Sequence, residues 1–184
     1  MRNYCISDLH FFHDNIIRYC NRPFKTTQEM NDTIINNINE VVQEDDILWC
    51  LGDWMKMPYP TCEVNPIRWS IALAKTRYTI RCKNIMFAFG NHDKEIRKYK
   101  EFQYLFTECK DYYIRKLYNK FILMLHRTDR MCDKEVIFKF NNMFKNGIVL
   151  HGHVHNNSDL TWQNMCVEVN DYKPVDLESL VNNH

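Results

Sequence analysis

Four short clusters in this 184-residue chain combine carboxylates, imidazoles and glycine at spacings suited to holding metal and moving protons: Asp8-Leu9-His10, Gly52-Asp53, Gly90-Asn91-His92-Asp93 and Gly152-His153-Val154-His155. Asp8 and His10 stand two apart, so in an extended segment their side chains share a face, and the same holds for His153 and His155. A carboxylate joined by imidazoles is a mixed oxygen and nitrogen ligand set that suits manganese, iron, zinc, cobalt or nickel. Asp53 has two oxygens with which to bridge two cations, and Asn91 offers a neutral amide oxygen beside it. His92, adjacent to Asn91, points away from the metals and is left free to handle a proton.

Each cluster alone has a plainer reading. Gly-Asp is most often a turn, and Asn91-His92-Asp93 would serve to cap a helix starting at Asp93 or Lys94. Three histidines within five positions, His151, His153 and His155, would form an opportunistic metal patch. The conjunction is what argues for chemistry. The chain has only four glycines, and three of them (Gly52, Gly90 and Gly152) stand immediately before a polar cluster, marking backbone positions that other residues cannot adopt.

The elements that must position these clusters are short apolar strands. Asn3 to Ser7, Ile47 to Leu51 and Ile85 to Phe89 have strand length and run into the first three clusters. Between the first two, Met30, Ile34, Ile38 and Val41 form the stripe of an amphipathic helix over Thr27 to Val42, with Thr26 or Thr27 as its cap. Ile67 to Arg77 reads as a second helix. This βαβαβ order predicts a central sheet with helices on its faces and a site at the carboxyl ends of its strands. Further on, Tyr112 to Tyr118 and Phe121 to Leu125 read as a hairpin about Asn119-Lys120, followed by strands at Ile148 to Leu150 and Trp162 to Val169. Consecutive strands make the sheets mixed. With no repeat or Gly/Ser linker, residues 1–184 are expected to form one domain.

Composition narrows the function classes. The chain is 45% hydrophobic and 26% charged, an ordinary globular mix. Lys plus Arg at 24 against Asp plus Glu at 23 leaves a formal charge of +1, which provides no field for non-specific nucleic-acid or membrane binding. Apolar runs such as Phe121 to Leu125 fall far short of the roughly 20 residues that span a bilayer. The N-terminus reaches Asp8 before any signal-peptide core forms, so a cytoplasmic protein is expected. Of eight cysteines, Cys5, Cys50 and Cys82 lie in or beside apolar strands and read as reduced core thiols.

In their order, the clusters resemble the signature of the calcineurin-like metallophosphoesterase superfamily: D-x-H, G-D, G-N-H-D/E, an isolated His (here His126) and G-H-x-H. The opening Ser7-Asp8-Leu9-His10-Phe11-Phe12-His13-Asp14-Asn15-Ile16-Ile17, with Arg22-Pro23-Phe24, also resembles a compact bacterial and phage branch of predicted phosphoesterases. The resemblance implies an α/β fold, a four-layer α/β/β/α sandwich with mixed sheets. It also implies two divalent transition-metal ions, manganese foremost with iron, zinc, nickel or cobalt as alternatives. Asp8, His10, Asp53 and His155 would hold one; Asp53, Asn91, His126 and His153 would hold the other. His92 would be the catalytic histidine acting as general acid, oriented by Asp93, while metal-activated hydroxide attacks a small or nucleotide-like phosphoester. His126 departs from the family in its surroundings, Leu125-His126-Arg127-Thr128-Asp129. The competing functions are a metal-dependent nuclease and a catalytically weak protein-interaction scaffold.

Several neighbouring residues bear on selectivity. Arg18 and Arg22 either reach a substrate phosphate or, as ordinary arginines do, lie solvated on the surface. Phe11, Phe12 and Trp54 either stack on a base or pack in the core. Lys94 to Lys100 reads as the polar face of a helix, and His13 and His151 read as supporting residues.

Overall fold

The computed structural model describes residues 1–56, 66–157 and 162–184. Its elements in chain order are β1 (Asn3–Ile6), α1 (Asp14–Tyr19), α2 (Thr27–Val41), β2 (Ile47–Cys50), α3 (Pro66–Thr79), β3 (Asn84–Ala88), α4 (Lys94–Lys98), α5 (Lys100–Gln103) and β4 (Glu108–Lys110). There follow β5 (Tyr112–Leu117), β6 (Lys120–Leu125), α6 (Met131–Met143), β7 (Ile148–His151), β8 (Gln163–Asn164), a 3₁₀ turn at Val167–Val169, β9 (Val175–Asp176) and α7 (Leu177–Asn182). One sheet has the order β4-β3-β2-β1-β9 and the other β5-β6-β7-β8. Both are mixed: β9 runs antiparallel to β1, and β5 antiparallel to β6, among otherwise parallel pairs.

Side-chain alternation along the strands turns these sheets into layers. Tyr4, Ile6, Leu48, Cys50, Ile85 and Phe87 face the helices and pack with Met30, Ile34 and Ile38 of α2 and with Trp69 and Leu73 of α3. Their neighbours Cys5, Trp49, Leu51 and Ala88 face the second sheet and meet Ile122, Met124, Ile148 and Leu150. From the far side of that sheet Leu123, Leu125 and Val149 pack against Ile137 and Phe140 of α6. Three apolar interfaces separate four layers, the α/β/β/α sandwich. Each fully buried aliphatic side chain contributes roughly 1.5–3 kcal/mol relative to exposure. Helix α2 starts where Thr26 Oγ1 accepts from Glu29 N (3.1 Å) and the Glu29 carboxylate accepts from Lys25 N (2.8 Å), a close variant of the capping box.

Two sequence expectations are corrected. The hairpin turn is Tyr118-Asn119, one residue earlier than read, because both central positions take left-handed backbone (φ 48° and 65°) and Lys120 already pairs with Leu117. Trp162 to Val169 is no continuous strand. Only Gln163–Asn164 pairs with β7, after which Cys166 bridges across to Ser7 beside β1 and the chain tightens into the 3₁₀ turn. That crossing carries Glu168 from one sheet to the back of the loops at the ends of the other. Cys5, Cys50 and Cys82 are buried free thiols, as expected, and no helix among the described residues is long and apolar enough to cross a membrane.

Candidate metal centre

All the candidate residues lie at carboxyl ends of strands. Asp8 follows β1, Asp53 follows β2, Asn91 and His92 follow β3, His126 follows β6, and His153 and His155 follow β7. The loops meet backbone to backbone because their glycines leave room. Gly52 has φ +92°, and a Cβ there would stand 2.5 Å from Gly90 N; a Cβ on Gly152 would stand 2.5 Å from Asp8 Oδ2. Asp8, His10, Asp53, His153 and His155 themselves take left-handed φ values of 60°, 52°, 54°, 73° and 51°, a conformation that costs non-glycine residues energy and that persists where surroundings enforce it. The extended-segment argument for a shared face therefore fails at both pairs. Asp8 and His10 still converge, whereas His153 and His155 separate into two different clusters.

Those clusters are Asp8, His10 and His155 on one side and Asp53, His126 and His153 on the other. Asp53 Oδ2 stands between them, 3.5 Å from His10 Nε2 and 3.5 Å from His126 Nε2. Its other oxygen accepts from His92 N at 2.8 Å, so both clusters share one oxygen of Asp53 and not one each. Asp8 Oδ1 lies 3.7 Å from His10 Nε2 and 3.7 Å from His155 Nε2, while Oδ2 accepts from Ser7 Oγ (2.6 Å) and His153 N (2.8 Å). Asn91 Oδ1 is 3.0 Å from His126 Nε2.

Tautomers follow from the outer partners. Leu51 O, 2.7 Å from His126 Nδ1, can only accept, so Nδ1 carries the proton and Nε2 turns a lone pair toward Asp53. His155 Nδ1 lies 2.8 Å from Glu168 Oε1, with Nε2 toward Asp8; burial is outweighed by hydrogen bonds to Cys20 and Glu168 and by the charges of Asp8 and Glu168, which raise His155 to about 10, so a cation at Nε2 would displace a proton. Imidazole nitrogens and carboxylate oxygens thus crowd together out of water, and two of these buried atoms, Asp8 Oδ1 and His10 Nε2, have no hydrogen-bond partner. Acceptors pointed at acceptors away from water are unfavourable unless a cation stands between them. The donor set fits divalent metal.

The electrostatics are those of desolvated charges crowded at one point. Burial, the largest influence on Asp8, is overcome by His126, His10 and His155, which hold its carboxyl well below the usual range. Burial and the neighbouring Asp8 push Asp53 up to about 7, and burial pushes His10 down to about 3. Asp8, His10, Asp53 and His126 are buried at the floor, whereas Asn91, His92, His153 and His155 are half-buried at the mouth.

Asp93 does not orient His92. Its two carboxylate oxygens accept from Asp53 N (2.7 Å), Gly90 N (2.7 Å) and Trp54 N (3.0 Å), which ties the second cluster's loop to the third. Nor is the imidazolium favoured: burial, followed by the Lys56 ammonium, pushes His92 down to about 4. The His92 ring stands 4.0 Å from Asp53 Oδ2, with its side chain 30% exposed.

Arg22 is likewise corrected, from a solvated or phosphate-binding residue to a buried brace. It donates to Asp8 O (2.7 Å), Leu9 O (3.0 Å) and Glu168 Oε1 (2.6 and 2.9 Å). Arg18 is exposed and bonds Asn15. Phe11 and Trp54 are fully buried in edge contact, which leaves neither free to stack on a base. Sequence reasoning missed Glu168; its one signal is a lone carboxylate inside Cys166-Val167-Glu168-Val169. His13 Nδ1 lies 3.2 Å from His10 Nδ1 and backs that ring, as its supporting role anticipated.

Comparison with known proteins completes the picture. The model of a family described as calcineurin-like phosphoesterase matches residues 1–177. An uncharacterized protein of Methanocaldococcus jannaschii is 34% identical over 189 residues, covering 97% of this chain and 88% of the relative. The crystal structure of a protein of unknown function from Aquifex aeolicus superposes with a TM-score of 0.72 at 28% identity, over 100% of this chain and 99% of that one.

Proposed function

The chain belongs to the calcineurin-like phosphoesterase family, and from that premise we propose that it is a two-metal hydrolase of small or nucleotide-like phosphoesters. The observation that carries this reading is the convergence of two ligand clusters on a single oxygen, Asp53 Oδ2, with unpartnered acceptor atoms around it. Asp8, His10, His155 and Asp53 would hold one cation, and Asp53, Asn91, His126 and His153 the other. Manganese is the first choice for both. When bound, two such cations neutralise the charge of the phosphoryl group and supply a nucleophile at neutral pH by lowering the pKa of water.

The chain's own residues do the rest. His126 and His155 are oriented by Leu51 O and Glu168, each with Nδ1 outward and Nε2 inward, where a bound cation would take the place of any Nε2 proton. The buried floor keeps bulk water from the carboxylates. His92, at the mouth and outside both clusters, is placed to give a proton to the leaving oxygen; the negative charge of a bound phosphoester raises the proton affinity of a ring that burial and Lys56 hold neutral. Asp93 keeps the loops bearing Asp53 and His92 in register. Complete clusters together with His92 weigh against a scaffold, and the formal charge of +1 weighs against a nuclease. Buried free thiols support action in a reducing, cytoplasmic setting.

The test is turnover of bis-p-nitrophenyl phosphate and p-nitrophenyl phosphate by protein loaded with Mn²⁺ or Ni²⁺. Hydrolysis of at least one is expected. Inactivity on both, with two metals measured per chain, would overturn the hydrolase reading.

A further inference from the structure

Beside the ligand clusters lies a cavity of about 420 Å³, within the ordinary range of small-molecule sites, about 300–1,000 Å³. Asn91 and His92 line it on the side of the metal centre, and Met55 and Trp69 supply an apolar wall. That wall is firm: Met55 is 1% and Trp69 6% exposed, and the Trp69 ring packs 4.9 Å from that of Phe102. The remaining lining is charged. Lys56, Lys94 and Glu95 are the charged residues that line it among the described residues.

The backbone of Lys56 is fixed beside the site. Its backbone N–H donates to Phe11 O at 3.0 Å, and Met55 bridges to Phe11, so the segment after Asp53 is pinned to the loop bearing Asp8 and His10. Its charge is felt by His92, His13 and Asp53.

A proton donor to the leaving oxygen must face the departing group, and the cavity opens on His92. We propose that this cavity seats the leaving alcohol and favours one that carries a phosphate of its own, which Lys56 recognises. The apolar wall takes the body of the alcohol. A compact ammonium suits phosphate as a point charge. Among the described residues, two cationic side chains against one carboxylate favour a single small anion over a long polyanion. The role in selectivity rests on the phosphoesterase reading, whereas the anion site does not.

Two measurements on the full chain test this. The first compares kcat/KM of the Mn²⁺-loaded protein for thymidine dinucleotides with and without a terminal phosphate. Preference for the phosphorylated dinucleotide by about ten-fold is expected, the scale of one charge-assisted hydrogen bond. Lys56→Gln should bring that ratio close to one, and Lys56→Arg should restore part of it. The second titrates the metal-free chain with thymidine 5′-phosphate and with thymidine. The phosphate should bind more tightly, and Lys56→Gln should remove the difference. No preference in the native protein, or an equal loss on both dinucleotides in Lys56→Gln, would overturn the selectivity. Phosphate binding unchanged by Lys56→Gln would overturn the anion site. Phosphate binding that depends on Lys56 without turnover of any ester would leave the anion site standing and remove the phosphoesterase reading instead.

Discussion

Removing the Glu168 carboxylate should weaken one cation site selectively. Glu168 Oε1 accepts from His155 Nδ1 at 2.8 Å and from two donors of Arg22 at 2.6 and 2.9 Å, with the Glu168 and Arg22 side chains only 3% and 0% exposed. Glu168→Ala therefore does two separable things. It leaves the Arg22 charge buried without a carboxylate, against carbonyls, Met30 Sδ and the Tyr172 ring, and breaking a buried pair in this way costs about 3–5 kcal/mol. Against a typical stability of about 5–15 kcal/mol the variant should fold but melt early. It also frees the His155 ring to rotate and change tautomer. Loss of such an outer partner costs roughly 10–100-fold in metal affinity. That loss should fall on the site made by Asp8, His10 and His155 and spare the one made by Asp53, His126 and His153. Glu168→Gln retains an oxygen to accept from Nδ1 and should lose less affinity. Competition of Mn²⁺ or Zn²⁺ binding against a chromophoric chelator, fitted to two sites, provides the readout. Two unchanged affinities in folded Glu168→Ala, or an equal fall in both, would refute the reasoning.

His92→Ala should keep two metals per chain and lose roughly 10²–10⁴-fold in turnover, more for alkoxide leaving groups than for p-nitrophenolate; metal lost along with activity would show that His92 is a ligand. Metal stabilisation should also grow with pH. Asp53 in the folded, metal-free chain is pushed up to about 7 by burial and Asp8, above its ordinary 3.8, so its contribution to stability is full below 3.8 and is lost as pH rises through about 7. A cation replaces that proton, and the Tm difference between metal-loaded and chelator-treated protein should widen from about pH 5.5 to 8; a constant difference would contradict this.

The parts of the molecule legible in the sequence were those governed by local pattern. The apolar runs of β1 to β3 and the stripe on α2 state their own periodicity, and a chain with four glycines advertises the three that let loops touch. Gly152 shows why: its position against Asp8 Oδ2 is a steric fact that only glycine satisfies. What escaped was tertiary. Glu168 and Arg22 are 146 residues apart, and their pairing arises only because Cys166 crosses from one sheet to the other. The family resemblance implied that Asp93 orients its neighbour His92, yet its oxygens accept from three backbone amides instead. Strands β8 and β9, two residues each, are too short for any periodicity to register.

The proposed chemistry requires Asp53 Oδ2 to be shared by two cations. Anomalous diffraction from crystals of the Mn²⁺-loaded protein tests it most directly. Two peaks about 3.5–4 Å apart are expected, one against Asp8, His10 and His155, the other against Asn91, His126 and His153, with Asp53 Oδ2 touching both. A single peak, or two that do not share Asp53, would contradict the two-metal centre on which the proposed chemistry stands.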